Sequence, residues 1–213
     1  MTVMKTLVLL LATLTLSNAW AVSPAKNRDW DFTVYLDDDP VGRHQFVLTE
    51  SEAMRELRSE ARFVIKILSI PAYSYEHQAN EVWRGECLAE IKARTDDNGD
   101  KTVLSGSRHE GQFDLKKADT ALRLPDCIMT FAYWNPLMLK QSRLLNPQTG
   151  DYLPVTFETK GRDEVQVRGQ RVSADRYHLD AGKFQIDLWY DKGDWVALDS
   201  TLSNGSRLRY RIN

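Results

Sequence analysis

The stretch Phe184–Asn213, FQIDLWYDKGDWVALDSTLSNGSRLRYRIN, decides the fold. Phe184, Ile186, Leu188 and Tyr190 alternate with polar neighbours, and Lys192-Gly193-Asp194 marks a turn. Trp195 to Leu202 runs back, and Asn204-Gly205 turns the chain again. Leu208, Tyr210 and Ile212 then alternate with Arg207, Arg209 and Arg211. A period of two broken by such turns is the pattern of antiparallel hairpins with one buried face. The reading is three consecutive strands, a closing meander against which the rest of a sheet pairs. The arginine row reads as the solvated face of a strand whose charge protects an edge, with contact to anionic lipid as the other use.

The same period recurs upstream. Trp30, Phe32, Val34 and Leu36 alternate in a first strand, and Asp37 to Gly42 is a turn rich in Asp, Pro and Gly. His44, Phe46 and Leu48 form a second strand, and Leu57 to Ile70 a long third one with Leu68 to Pro71 apolar on both sides. Ala72 to Leu88 follows as one strand and Ala89 to Thr95 continues it. Asp96 to Asp100 is a hairpin turn with Asn98-Gly99 at its apex. Thr102–Ser105, Gln112–Leu115 and Thr120–Leu124 are short strands. Tyr152–Thr159, Glu164–Val167 and Val172–Leu179 lead into the closing meander. Asp37 to Gly42 lacks the alternating carboxylates and closing Glu of a calcium loop, and Asp96 to Asp100 is also read as a turn, with calcium as its alternative use.

Between Pro125 and Asn146 the period changes. Ile128, Phe131 and Ala132 fall at helical spacing, Asp126 stands as an N-cap, and Pro136 restarts the turn through Leu137, Met138 and Leu139. The expected fold is mainly β: a large curved antiparallel sheet of about eleven strands, a half-barrel or barrel because so many strands do not stay flat. One short kinked helix packs in or over its concave side.

The chain carries 28 Lys and Arg against 30 Asp and Glu, a net charge of -2, which gives no electrostatic case for nucleic acid. Residues 1–21 read as a secretory signal peptide: Lys5, then the apolar run Leu7 to Leu16, then Ala19-Trp20-Ala21 with cleavage after Ala21. The apolar run is too short for a membrane span, and no later stretch would serve as a transmembrane segment. Residues 22–213 then form a single exported domain, periplasmic if the signal is bacterial. In an oxidising compartment Cys87 and Cys127 are expected to form a disulfide, against two separate buried thiols.

Ala72 to Leu88 carries the functional signal. One face holds Tyr73, Tyr75, His77, Ala79, Glu81, Trp83, Gly85 and Cys87; the other is polar. A packed core would be filled by Ile, Leu and Val, so this face suits the wall of a cavity. The expected ligand-binding residues are Tyr73, Tyr75, His77, Glu81 and Trp83, with Phe131 and Trp134 of the helix opposite them. A closed aromatic core is the competing reading. His77 and Glu81 lie about 13 Å apart at strand rise, too far to pair directly but able to share a ligand. Four scattered His in no ligand spacing point to no metal site and no cofactor. A Cys127 nucleophile with His178 and Asp180 has nothing in the sequence to assemble it.

Trp83-Arg84-Gly85-Glu86-Cys87-Leu88, Thr130-Phe131-Ala132-Tyr133-Trp134-Asn135-Pro136 and Leu188-Trp189-Tyr190, with the Asn204-Gly205 and Arg209-Tyr210 ending, resemble a family of uncharacterised proteobacterial exported proteins. That family is known only as a domain of unknown function, and the resemblance spans nearly the whole mature chain. More distantly the chain resembles the half-barrel folds of periplasmic lipoprotein carriers and other lipid-binding proteins, an analogy of fold alone. The expected function is binding of an apolar or amphipathic molecule, a lipid or acyl chain. The alternatives are an enzyme with His77 and Glu81 as acid and base, and an envelope protein-interaction module.

Overall fold

The computed structural model describes residues 25–52, 54–67, 70–202 and 204–212. The expected signal peptide and its cleavage point lie outside the described residues, as does Leu68 of the apolar hairpin end. Eight strands succeed one another as hairpins: β1 (Lys26–Leu36), β2 (Asp39–Glu50), β3 (Arg55–Ile67), β4 (Ile70–Arg84), β5 (Cys87–Asp97), β6 (Asp100–His109), β7 (Gln112–Lys117) and β8 (Thr120–Pro125). A small antiparallel pair follows, β9 (Arg143–Leu145) and β10 (Tyr152–Pro154). The second meander comprises β11 (Thr156–Val167), β12 (Gln170–Asp180), β13 (Gln185–Asp191), β14 (Asp194–Thr201) and β15 (Arg207–Ile212).

The two meanders join where β15 pairs antiparallel with β1, Phe32 opposite Ile212 and Val34 opposite Tyr210. Among the described residues the product is one antiparallel sheet of 13 strands, running from β11 at one edge through β15 and β1 to β8 at the other, and it does not close. The sequence-based count of about eleven is therefore low. Gly85, at φ 57°, turns the chain out of β4, so Cys87 opens a new strand rather than ending the aromatic one. Lys160 and Gly161 are a bulge inside continuous β11, where the sequence had suggested a break. Gly42 lets β2 approach β3 closely: a Cβ there would stand 2.0 Å from the Arg62 carbonyl oxygen.

The expected helix is not present. Residues 126–142 form an irregular segment whose only helical part is a 3₁₀ turn at Pro136–Lys140, capped by the Asn135 side chain accepting from the Leu137 amide at 3.1 Å. The cause is competition for backbone groups. Ile128 O accepts from Leu88 N, Phe131 N donates to Leu145 O, and Leu145 N donates to Met129 O, so the ladder a helix would need is already committed to strands. Ile128, Thr130, Phe131, Tyr133 and Trp134 are also modest helix formers. Asp126, the expected N-cap, instead accepts from Arg108. Cys87 and Cys127 form the expected disulfide, Cα atoms 4.8 Å apart, and pin the start of the segment to β5.

The segment fills the concave side. Ile128, Met129, Phe131, Ala132, Trp134, Met138, Leu144 and Leu145 are buried in one cluster with the inward residues of both meanders. A second, smaller cluster lies on the opposite face of β13 and β14, where Trp189, Val196 and Ala197 meet Val165 and Ala174 of the β11–β12 hairpin. The hairpin tip is fixed there by Arg168 N donating to Ile212 O. The C-terminal arginines guard no edge, because β15 lies inside the sheet. Arg207 and Arg211 both pair with buried Asp199, and Arg209 pairs with Asp38.

Candidate functional site

Small residues open a hole in the inner surface. Ser59 and Ala79 stand opposite each other on β3 and β4, and both line it. Larger residues flank them, so the segment 126–142 cannot close the space above them. A cavity of about 390 Å³ remains. Its sheet wall is His44, Phe46, Leu57, Ser59, His77, Ala79 and Glu81. Facing this wall are Phe131, Tyr133 and Trp134, and Ile186, Leu198 and Tyr210 from the second meander. The less buried lining residues, Asn146 to Thr149, Asp151, Lys183 and Phe184 with Ser200 and Leu208, mark the mouth. Lys183 Nζ bonds to Asp151 there at 3.1 Å.

The expected ligand-binding residues divide into two groups. His77, Glu81, Phe131 and Trp134 line the cavity. Tyr73, Tyr75 and Trp83 face the same side of the sheet but are spent in packing. Trp83 is fully buried, edge-on to Trp134 at 5.5 Å. Tyr75 stacks on Phe63 at 5.2 Å, and half-buried Tyr73 donates to Asp97 at 2.7 Å. None of these three lines the cavity. His44, Ser59, Tyr133 and Tyr210 line the cavity and were missed. The signal for His44 was its alternation with Phe46 on an inward face; for Ser59 it was a small polar residue in the apolar register of β3.

The polar groups of the wall are mostly held by one another. His77 Nδ1 lies 2.9 Å from Thr95 Oγ1, and Thr95 Oγ1 donates to Gln148 O at 3.0 Å. The threonine has one proton and gives it to the carbonyl, so His77 Nδ1 must be the donor to it. Nε2 of His77 is then a bare acceptor. Burial lowers the His77 pKa to about 4, so the ring is neutral. His44 is neutral for the same reason, with the neighbouring His77 adding to the effect. Its Nε2 lies 2.8 Å from Ser59 Oγ, its Nδ1 3.4 Å from the Tyr210 hydroxyl, and its ring stacks on Phe46.

Glu81 is 4% exposed. Its Oε2 accepts from Trp83 Nε1 at 3.0 Å and from Thr130 Oγ1 at 3.1 Å. Those bonds favour the carboxylate, but burial outweighs them and raises the pKa to about 7. Among the described residues no ion pair reaches Glu81, and Oε1 makes no hydrogen bond. Trp134 Nε1 and the Tyr75 hydroxyl are also buried without a partner.

Ser59 against His44 has the contact of a nucleophile and its base. The carboxylate that would orient the base is replaced by Tyr210. His178 does not approach Cys127, which is in the disulfide; it bonds to Asp187 at 2.8 Å. Among the described residues no group of His, Cys, Asp and Glu could hold a metal ion, and no helix is long and apolar enough to cross a membrane.

A family model, Domain of unknown function (DUF6134), matches residues 32–213. The chain belongs to this family. No curated protein matches it. Among solved structures, it is similar to a β-barrel-like protein of domain of unknown function DUF1849 from Brucella abortus, with a TM-score of 0.63 at 8% identity. The match covers 89% of this chain and 95% of that one. At that identity the likeness is one of fold. It agrees with the distant half-barrel resemblance expected from the sequence.

Proposed function

We propose that the protein is a periplasmic binding protein that holds one apolar or amphipathic molecule, a lipid fragment or single acyl chain, in the cavity. One observation carries this reading. The cavity of about 390 Å³ falls within the roughly 300–1,000 Å³ of small-molecule sites and has their makeup, aromatic and aliphatic walls with a few placed polar groups. Its size suits a single chain or ring system rather than a whole diacyl lipid. The disulfide accords with an oxidising compartment, as export to the periplasm requires.

Titration with N-phenyl-1-naphthylamine, whose fluorescence rises in apolar surroundings, tests the reading. The parent should show saturable enhancement at one site. Ala79→Phe, which fills the space, should abolish it while keeping a cooperative unfolding transition, with Ala79→Leu as the milder replacement. Equal binding by parent and filled variants would overturn the proposal.

A hydrolytic use of the cavity is the second reading, favoured by the Ser59–His44 contact at 2.8 Å. It requires turnover of a short p-nitrophenyl ester that is lost in both Ser59→Ala and His44→Gln. Binding alone predicts no turnover by the parent.

A further inference from the structure

The charge pattern of the cavity narrows its ligand. We propose that it takes amphiphiles with an amine or hydroxyl head and rejects those with a carboxylate or phosphate head. The inference rests on the cavity being a binding site and adds the class of head group.

Glu81 is the only carboxylate of the inner wall, and among the described residues no cation neutralises it. The histidines of the wall carry no positive charge: His44 is enclosed by Phe46, Ser59 and Tyr210, and His77 has its one proton committed to Thr95. Lys183, the cation of the lining, stands at the mouth and is paired with Asp151. An anionic head drawn into this space would lose its hydration, find no counter-charge and lie beside a carboxyl group. That is the arrangement most strongly disfavoured in a low-dielectric interior.

A head that gives hydrogen bonds meets the opposite situation. Among the described residues neither Glu81 Oε1 nor His77 Nε2 has a hydrogen-bond partner, and both accept. An ammonium gains a counter-ion in Glu81 and aromatic faces in Phe131, Tyr133 and Trp134. A hydroxyl donates to either acceptor and takes a bond from Tyr133 or from protonated Glu81. The wall hydroxyls can donate, but they carry no charge and cannot offset a full anion.

The experiment is displacement of N-phenyl-1-naphthylamine from the intact protein at pH 8 by 1-decylamine, 1-decanol and decanoate, which share a chain length. Decylamine and decanol should displace the probe at concentrations at least tenfold lower than decanoate. Glu81→Gln should shrink the gap between decylamine and decanoate. Decanoate displacing as well as decylamine would overturn the head-group proposal and leave the binding reading standing. A parent that binds neither the probe nor any of the three would overturn both. The ranking on the parent decides the matter by itself should the variant fail to fold.

Discussion

Glu81 and His77 sit two rungs apart on one strand face, and burial moves them in opposite directions. The Glu81 carboxyl titrates near 7 in the fold against 4.5 when unperturbed, so the folded state holds the proton more tightly. Its contribution to stability is full below about 4.5 and is lost as pH rises through about 7, a swing of about 3 kcal/mol by linkage. His77 runs the other way, from 6.5 down to about 4. Its contribution is present above 6.5 and is lost as pH falls through about 4. The two slopes oppose each other at mildly acid pH, so the parent alone conceals them. Urea unfolding of the parent and Glu81→Gln should separate them: the variant gains on the parent as pH rises from about 4.5 to about 7. A pH-independent difference would contradict the account. Trp83 is the other residue to change. It is fully buried, packs edge-on to Trp134 and donates to Glu81. Trp83→Ala should lower the unfolding free energy by about 3–5 kcal/mol.

At the scale of elements, the strands were legible and the plug was not. Period-two alternation with glycine turns marked nearly every strand, because each has one buried face whose residues must recur at every second position. The segment 126–142 misled because its apolar residues at helical spacing are buried on every side, and the partners of its backbone lie on β5 and β9, far away in sequence. The disulfide was legible from cysteine number and compartment. The aromatic face of β4 was legible as inward, but which of its residues would pack and which would border space depended on Ser59 of the neighbouring strand. Removing the disulfide by Cys87→Ser with Cys127→Ser opens a constraint spanning 40 residues. The loss should be about 4 kcal/mol in the chain-entropy model, read as a lower urea midpoint than that of the oxidised parent. Gly42→Ala should also destabilise, by about 1–3 kcal/mol, because the atoms its Cβ would meet are backbone atoms of β3 that cannot swing aside.

Among the described residues the molecule is an open sheet of 13 strands whose inner face is packed by a covalently pinned segment of its own chain. That segment leaves one cavity wall of aromatic rings against a sheet wall in which Phe46 and Leu57 border Ser59, Ala79, two histidines and Glu81. A molecule built only for packing would have larger residues at 59 and 79. The central claim is that this space holds a small apolar or amphipathic molecule. Native mass spectrometry of the protein purified under non-denaturing conditions tests it most directly. The account predicts a population carrying one non-covalent molecule of a few hundred daltons, present in the parent and absent from Ala79→Phe. Bare protein mass in both, with no rise in the parent's unfolding midpoint on adding decylamine or decanol, would contradict it.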